Sequence, residues 1–232
     1  MRPFLAVLLA VLCAAPLVAQ DKEAERLQKA ATVIEEVMGT PEKGIPSELL
    51  NKAVCVGVIP SQKKVALGIG GTFGRGALVC RRGGNGEWGG PSMFTVGGAN
   101  IGFQLGGQAT DFVLIVMNPG GVKKLLQSKT KLGADASVAG GPVGRTAAGQ
   151  TDLLLHTEIL TYSRSRGLFA GVSLDGQVVK QDHDANERLY GRKVDPKDIL
   201  VSGTLGVPGA ARPLVGALQK FSPRGGQPFK EK

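Results

Sequence analysis

The stretch YSRSRGLFAGVSLDG, Tyr162–Gly176, sets two arginines beside a glycine-broken apolar run. In an alternating strand Tyr162, Arg164 and Arg166 share a face with Leu168, Ala170, Val172 and Leu174. That face reads as core, and arginine is rarely buried without a partner. Two readings are open: the register breaks at Gly167, or the arginines lead to a site that takes an anion. Guanidinium forks match phosphate oxygens in pairs, and Arg145, after the flexible GGPVG segment, is a third candidate. Lys123 and Lys124, on a predicted short helix, would add attraction to an anionic surface at about 1 kcal/mol per cation. The competing readings are bland. Arg164 and Arg166 could pair with internal carboxylates such as Asp111, Asp135 or Glu158, and the two lysines could be a solvated helix face.

Other chemical signatures fail on spacing. GIGGTFGRG, Gly68–Gly76, has Phe73 where a dinucleotide loop needs its third glycine, and no Gly-Lys-Ser/Thr follows. GVSLDG, around Ser173, is one residue too long for a nucleophile elbow, and only His156 and His183 could serve as base. An Asp175-Gly176 turn accounts for the same residues. DHDANE, Asp182–Glu187, opens like a calcium loop, but Glu187 stands where glycine is needed and Lys193 where a bidentate acid is needed. It reads instead as an acidic turn with Asp184 or Asn186 capping a helix. There is no Cys/His cluster for zinc and no paired carboxylate in an apolar setting. A non-enzymatic binding protein without metal or cofactor is the expectation.

The chain begins with a short basic n-region, an apolar run from Phe4 to Leu12 and a small-residue exit ending at Ala19. This reads as a secretory signal peptide over 1–19, since a spanning helix needs about 20 apolar residues. Leu12 before Cys13 argues against a lipid anchor. The remainder, 20–232, reads as one domain with its core over about 30–220. Without Arg2 it holds 27 Lys and Arg against 19 Asp and Glu, a net charge of +8. A basic exported protein favours anionic partners. Only 5% of residues are aromatic, which argues against stacking platforms for single-stranded nucleic acid. Cys55 and Cys80 remain after cleavage, either paired in an oxidising compartment or as two buried thiols. The 35 glycines lie inside apolar, β-branched runs, the pattern of bulged or sharply curved strands.

The periodicity predicts an amphipathic helix over 21–38, with Asp21 as cap, Gly39 as stop and Leu27, Ala30, Ala31, Ile34, Val37 and Met38 on one face. That face could enter a membrane, although Glu23, Glu25, Glu35 and Glu36 on the polar side suit packing on a sheet better. A second helix should start at Ser47 as cap. Strands follow at 54–59, 65–69, 76–80, 87–96, 99–105 and 111–117, the last being the most hydrophobic and so central. A sharp bend is predicted at GGTFGR, 70–75, and a turn at 83–86. A short helix over 122–127, a long strand over 151–162, a hairpin closed by Asp175-Gly176, helical turns at 186–190 and 196–200, a last helix over 208–221 and a frayed tail from Ser222 complete the pattern. The fold class is α+β: a curved, largely antiparallel, glycine-rich sheet or sandwich with an N-terminal amphipathic helix and short C-terminal helices.

The opening stretch resembles the signature of the SYLF family, a lipid-binding domain. AVCVGVIPSQKKVALGIGGTFGRG (53–76), GGANIGFQLGGQATDFVLIVMN (97–118), LGADASVAGGPVGR (132–145) and ANERLYG (185–191) resemble its other segments in the same order. The resemblance covers roughly 30–220 and implies binding of anionic phospholipid, phosphoinositide in eukaryotic members, with actin binding for some of those. It implies no enzyme. An exported protein of bacterial type need not meet phosphoinositides or actin. The expected activity is therefore binding of acidic lipid head groups at a membrane surface, through Arg164, Arg166, Arg145, Lys123 and Lys124, by a periplasmic or secreted protein held peripherally. The alternative is a cell-envelope interaction module for a protein or an acidic glycan.

Overall fold

The computed structural model describes residues 15–40, 44–67, 69–101, 108–144, 157–165, 168–223 and 225. Helix α1 (Ala15–Met38) is followed by α2 (Ser47–Lys52) and by strands β1 (Cys55–Leu67), β2 (Ile69–Arg81), β3 (Trp88–Ile101) and β4 (Gln108–Val116). Then come α3 (Pro119–Leu125), β5 (Thr130–Lys131), β6 (Val138–Gly140), β7 (Ile159–Ser165), β8 (Leu168–Gly171) and β9 (Val178–Gln181). Helices α4 (His183–Tyr190), α5 (Pro196–Leu200) and α6 (Arg212–Phe221) close the chain. The strands form one nine-stranded sheet in the order β5-β9-β3-β2-β1-β4-β7-β6, with β8 added on β7. Every pairing is antiparallel except β6 with β7. The architecture is the expected α+β, as a single sheet and not a sandwich of two.

Alternation along the strands divides the apolar residues between two cores, as a sheet covered on both faces requires. Val56, Val58, Ala77, Val79, Met93, Val113, Ile115, Leu160 and Tyr162 face α1, α4 and α6. Leu78, Phe94, Val96, Leu114, Val116 and Val179 face α3 and α5. Strand β4 is buried on both sides, which explains its near-continuous hydrophobicity. The apolar face of α1 lies in the first core with Leu27, Ala30 and Ile34 fully buried. That face is consumed by packing, so membrane entry would require the helix to leave the sheet. Glu23 is buried too; it pairs with Arg26 and takes Arg188 of α4 at 2.8 Å. Among the described residues, no helix is long and apolar enough to cross a membrane.

Several expectations shift. Helix α1 runs through Asp21, which therefore caps nothing, and Pro46, not Ser47, precedes α2. GGTFGR continues β2 as strand; the reversal lies between Leu67 and Ile69, which are paired. The segments 87–96 and 99–105 are joined as β3, up to Ile101. Strand β8 pairs with β7, while β9 pairs with β3 and β5, so Asp175-Gly176 is a turn between unpaired strands and not a hairpin loop. The close approach of β6 to β8 explains two glycines: a Cβ on Gly171 would overlap the carbonyl of Gly141, and one on Gly141 would enter the ring of Tyr162. Of the predicted strand over 151–162, residues 151–156 lie outside the described residues.

Cys55 and Cys80 are directly opposite in β1 and β2 and form a disulfide. Next to it Arg81 is fully buried. Its Nε donates to Ala53 O at 3.0 Å, Nη1 to Gly86 O at 3.2 Å, and Nη2 to Ser222 O and Oγ at 3.1 and 2.5 Å. The guanidinium lies 4.0 Å from the centre of the Trp88 ring, and Trp88 Nε1 also donates to Ser222 O. Among the described residues no carboxylate takes part; carbonyl dipoles and the ring face offset the lost hydration. Burial still pushes the Arg81 pKa down to about 10. The expected frayed tail is thus corrected at its first residue, since Ser222 is buried where α6 meets the sheet. Replacing Arg81 by Met should lower the unfolding free energy by roughly 3 kcal/mol, because buried carbonyls lose their donors. Urea denaturation of the two proteins measures this.

Candidate functional site: the open half of the sheet

The strands are longer than their helical cover. Among the described residues, buried apolar side chains stop at Ile59 in β1 and resume at Ala77 in β2. Between them β1 is bulged at Ile59–Gln62, where both of its neighbours shift register. Ser61 takes a φ of 56° there, and its amide donates to Asp111 Oδ1 at 2.8 Å. Beyond the bulge β1 starts with the polar run Gln62, Lys63 and Lys64 and ends with Val65, Ala66 and Leu67.

Arg164 sits at this border. It is the cross-strand partner of Asp111, and its Nε and Nη2 donate to Asp111 Oδ2 at 2.9 and 2.7 Å. Its Nη1 pairs with Glu36 of α1. Burial raises the Asp111 carboxyl, against the pull of the Ser61 amide, and lowers Arg164. Both shifts are the desolvation cost that the fork geometry offsets. Tyr162, two residues earlier on the same face, is buried and stacked on Phe169 with ring centres 5.2 Å apart. Alternation therefore placed Tyr162 and Arg164 on the core face correctly, and internal carboxylates engage the charge. The chain reverses before Leu168, the partner of Ser165. Arg166 and Arg145 lie outside the described residues.

The lysine pair is elsewhere. Asn118 caps α3 by accepting from the Gly121 amide at 3.0 Å, one turn earlier than predicted. Lys123 is exposed, while Lys124 Nζ is 2.6 Å from Glu158 Oε2. Glu158 precedes β7 and Arg164 is near its end, so at ~3.3 Å per residue the two clusters stand roughly 20 Å apart. The described cations of the proposed set do not converge on one point.

A different set does. On the face of the sheet that carries the α1 core, Lys63 and Phe73 are paired across β1 and β2. Arg75, two residues on, is opposite Thr95, which is opposite Lys180 of β9. Residues opposite one another share a face, so Lys63, Phe73, Arg75 and Lys180 form one surface. All four are exposed, Phe73 at 52%, and the Arg75 guanidinium lies 5.7 Å from the Phe73 ring centre. The sequence does not reveal this group, because GGTFGR reads locally as a bend, which scatters side chains that a strand aligns.

The residues tested for catalysis have structural work. Ser173 Oγ bonds only within its own turn, to Asp175. Asp182, not Asp184 or Asn186, caps α4 by accepting from the Ala185 amide at 3.0 Å. Asn186 is buried and clamps β3, accepting from the Met93 amide at 2.7 Å and donating to Ser92 Oγ at 3.1 Å. Tyr190 OH donates to Pro91 O at 2.9 Å.

Glu158 yields a pH test. Burial alone would raise its carboxyl, but Lys124 and the Ser137 amide and hydroxyl hold it below the ordinary value of 4.5. A depressed carboxylate stabilises the fold above its unfolded pKa and loses that contribution as pH falls through the folded one. Glu158→Gln should therefore cost about 1 kcal/mol at neutral pH. In urea unfolding series, the gap from wild type should close as pH drops below 4.5.

Comparison with known proteins gives a consistent assignment. Residues 97–221 match the family described as Ysc84, Las17-binding protein actin regulator. Protein YSC84 of Saccharomyces cerevisiae is 33% identical over 203 residues, covering 86% of this chain and 42% of that protein. SH3 domain-containing protein PJ696.02 of Schizosaccharomyces pombe is 36% identical over 182 residues, covering 77% and 41%. SH3 domain-containing YSC84-like protein 1 of Bos taurus is 31% identical over 204 residues, covering 88% and 59%. The chain thus spans about half the length of the curated relatives it matches. The matched region runs from the end of β3 through α6 and includes the Tyr162, Arg164, Asn186 and Tyr190 contacts just described, so the chain belongs to the Ysc84 family, the SYLF-domain family that its signature stretch resembles.

Proposed function

We propose that the protein is a non-enzymatic module that docks on anionic phospholipid membranes through the open half of its sheet. The observation that carries this reading is Phe73, exposed beside Lys63 and Arg75 with Lys180 two strands away on the same face, none of the three cations being ion-paired among the described residues. An aromatic ring suits the interfacial layer, and each cation near an anionic bilayer is worth about 1 kcal/mol. The net charge of +8 after leader removal acts in the same direction. Lys123, exposed on α3 at the far end and on the other face, lies outside this surface, whereas Arg164 and Lys124 engage carboxylates of the fold.

Export through the 1–19 leader, to the periplasm or beyond, belongs to the same proposal. It is supported by the Cys55–Cys80 disulfide, because such bonds persist in oxidising compartments. The head group, phosphoinositide or a bacterial acidic lipid, is to be set by experiment. The family description also favours a second reading, a protein-binding module of the kind its words Las17-binding and actin regulator denote.

Co-sedimentation of the mature protein with phosphatidylglycerol, cardiolipin, phosphoinositide and neutral phosphatidylcholine vesicles separates the two. Binding should be confined to anionic vesicles and should weaken with salt, as screening requires. Lys63→Glu/Arg75→Glu should bind at least about tenfold more weakly, from the loss and reversal of two charges, with unchanged thermal unfolding. Absence of wild-type binding to every anionic vesicle would leave the protein-partner reading.

A further inference from the structure

On the opposite face of the same open half lies a cleft of about 400 Å³, within the range of small-molecule sites. It is bounded by β1, β2, β4 and β7 and by the segment between β8 and β9. From its geometry we infer that this cleft binds a neutral polyhydroxylated compound, a sugar or cyclitol, distinct from the anionic surface bound by the Phe73 patch.

The lining is dense in hydroxyl and amide groups. Thr110 and Ser163 offer hydroxyls that can both donate and accept, and Ser165 and Ser173, the latter bonded to Asp175, complete the polar lining. Gln62 and Gln177 are joined across it, with Gln62 Nε2 donating to Gln177 Oε1 at 2.7 Å. Gln62 is only 3% exposed, and its Oε1 is a buried acceptor with no hydrogen-bond partner. Buried polar atoms are satisfied in the great majority of cases, so this one marks a position for a donor. Phe112 adds an apolar surface of the kind a sugar ring packs on.

Charge balance selects the ligand class. Lys64 and Asp175 are the charged residues in the lining, one of each sign. A phosphate or carboxylate brings acceptors alone and would face both the Asp175 carboxylate and the Gln62 oxygen. A simple ammonium brings donors alone and would leave the amide donors of Gln177 unmatched. A polyol hydroxyl donates to Gln62 Oε1 and accepts from Gln177 or a serine at once. The polarity is confined to this half, because the equivalent positions nearer the helices, Leu114 and Val116, are apolar core.

The test is a titration followed by the side-chain amide resonances of Gln62 and Gln177 in ¹⁵N spectra of the mature protein. Glucose, myo-inositol and inorganic phosphate are the soluble probes. Phosphatidylcholine vesicles carrying a galactosyl diacylglycerol distinguish a lipid-borne sugar from a free one. Saturable shifts with a polyol or the galactolipid, and none with phosphate, are expected. The Thr110→Val/Ser163→Ala variant should bind at least tenfold more weakly with the same melting temperature. Its binding to phosphatidylglycerol vesicles should be unchanged, since the Phe73 patch is on the other face. Shifts with phosphate alone, or no shift with any polyol probe at tens of millimolar, would overturn the inference whatever the outcome for anionic vesicles.

Discussion

The sheet is longer than the helices that cover it, and most other features follow from that mismatch. Where α1, α4 and α6 lie on one face and α3 and α5 on the other, the strands carry apolar residues on both sides. Among the described residues, β1 and β2 carry no buried apolar side chain between Ile59, next to the bulge at Ser61, and Ala77. The strands continue with Gln62, Lys63 and Lys64 before Val65–Leu67 in β1, and with Ile69, Phe73 and Arg75 among glycines and Thr72 in β2. Hydrogen bonding across β1, β2, β3 and β4 is retained, so the open half is positioned by the covered half without needing a core of its own. Exposed cations and a polar cleft can be held there at little cost to stability.

A partly exposed ion-pair group marks the border between the halves, and a buried arginine marks the seam at the far end. The Asp111–Arg164–Glu36 group ties α1, the β1 bulge, β4 and β7 together at one point. Arg81 ties α2, the β2–β3 turn and the end of α6 at another, with carbonyls and Trp88 in place of a carboxylate. The buried Arg81 group contributes little net energy compared with apolar packing, but it is strongly destabilising to break, which makes the arrangement of these elements specific.

Four residues of the family-like segments make structural contacts. Tyr162 packs in the core, Arg164 is held by Asp111 and Glu36, and Asn186 and Tyr190 fasten α4 to β3. The fold class, the central β4 and the amphipathic α1 were legible because their periodicity reflects burial directly. The even course of β2 through GGTFGR was not, because glycine reads locally as a bend and only pairing on both sides keeps it extended. With that strand broken on paper, Lys63, Phe73, Arg75 and Lys180 could not be seen as one surface. The Arg81 cluster and the Gln62 cleft depend on partners more than 100 residues away, at Ser222 and Gln177, which no local pattern reveals.

The central claim is that the uncovered half of the sheet is the half that meets the membrane. Hydrogen–deuterium exchange of the mature protein, with and without phosphatidylglycerol vesicles, tests it most directly. The account predicts new protection in peptides spanning Ser61–Arg75, Thr95–Gly98 and Val178–Gln181, with α1 unchanged. Protection confined to α1 or to α3, with the open strands unaffected, would contradict it.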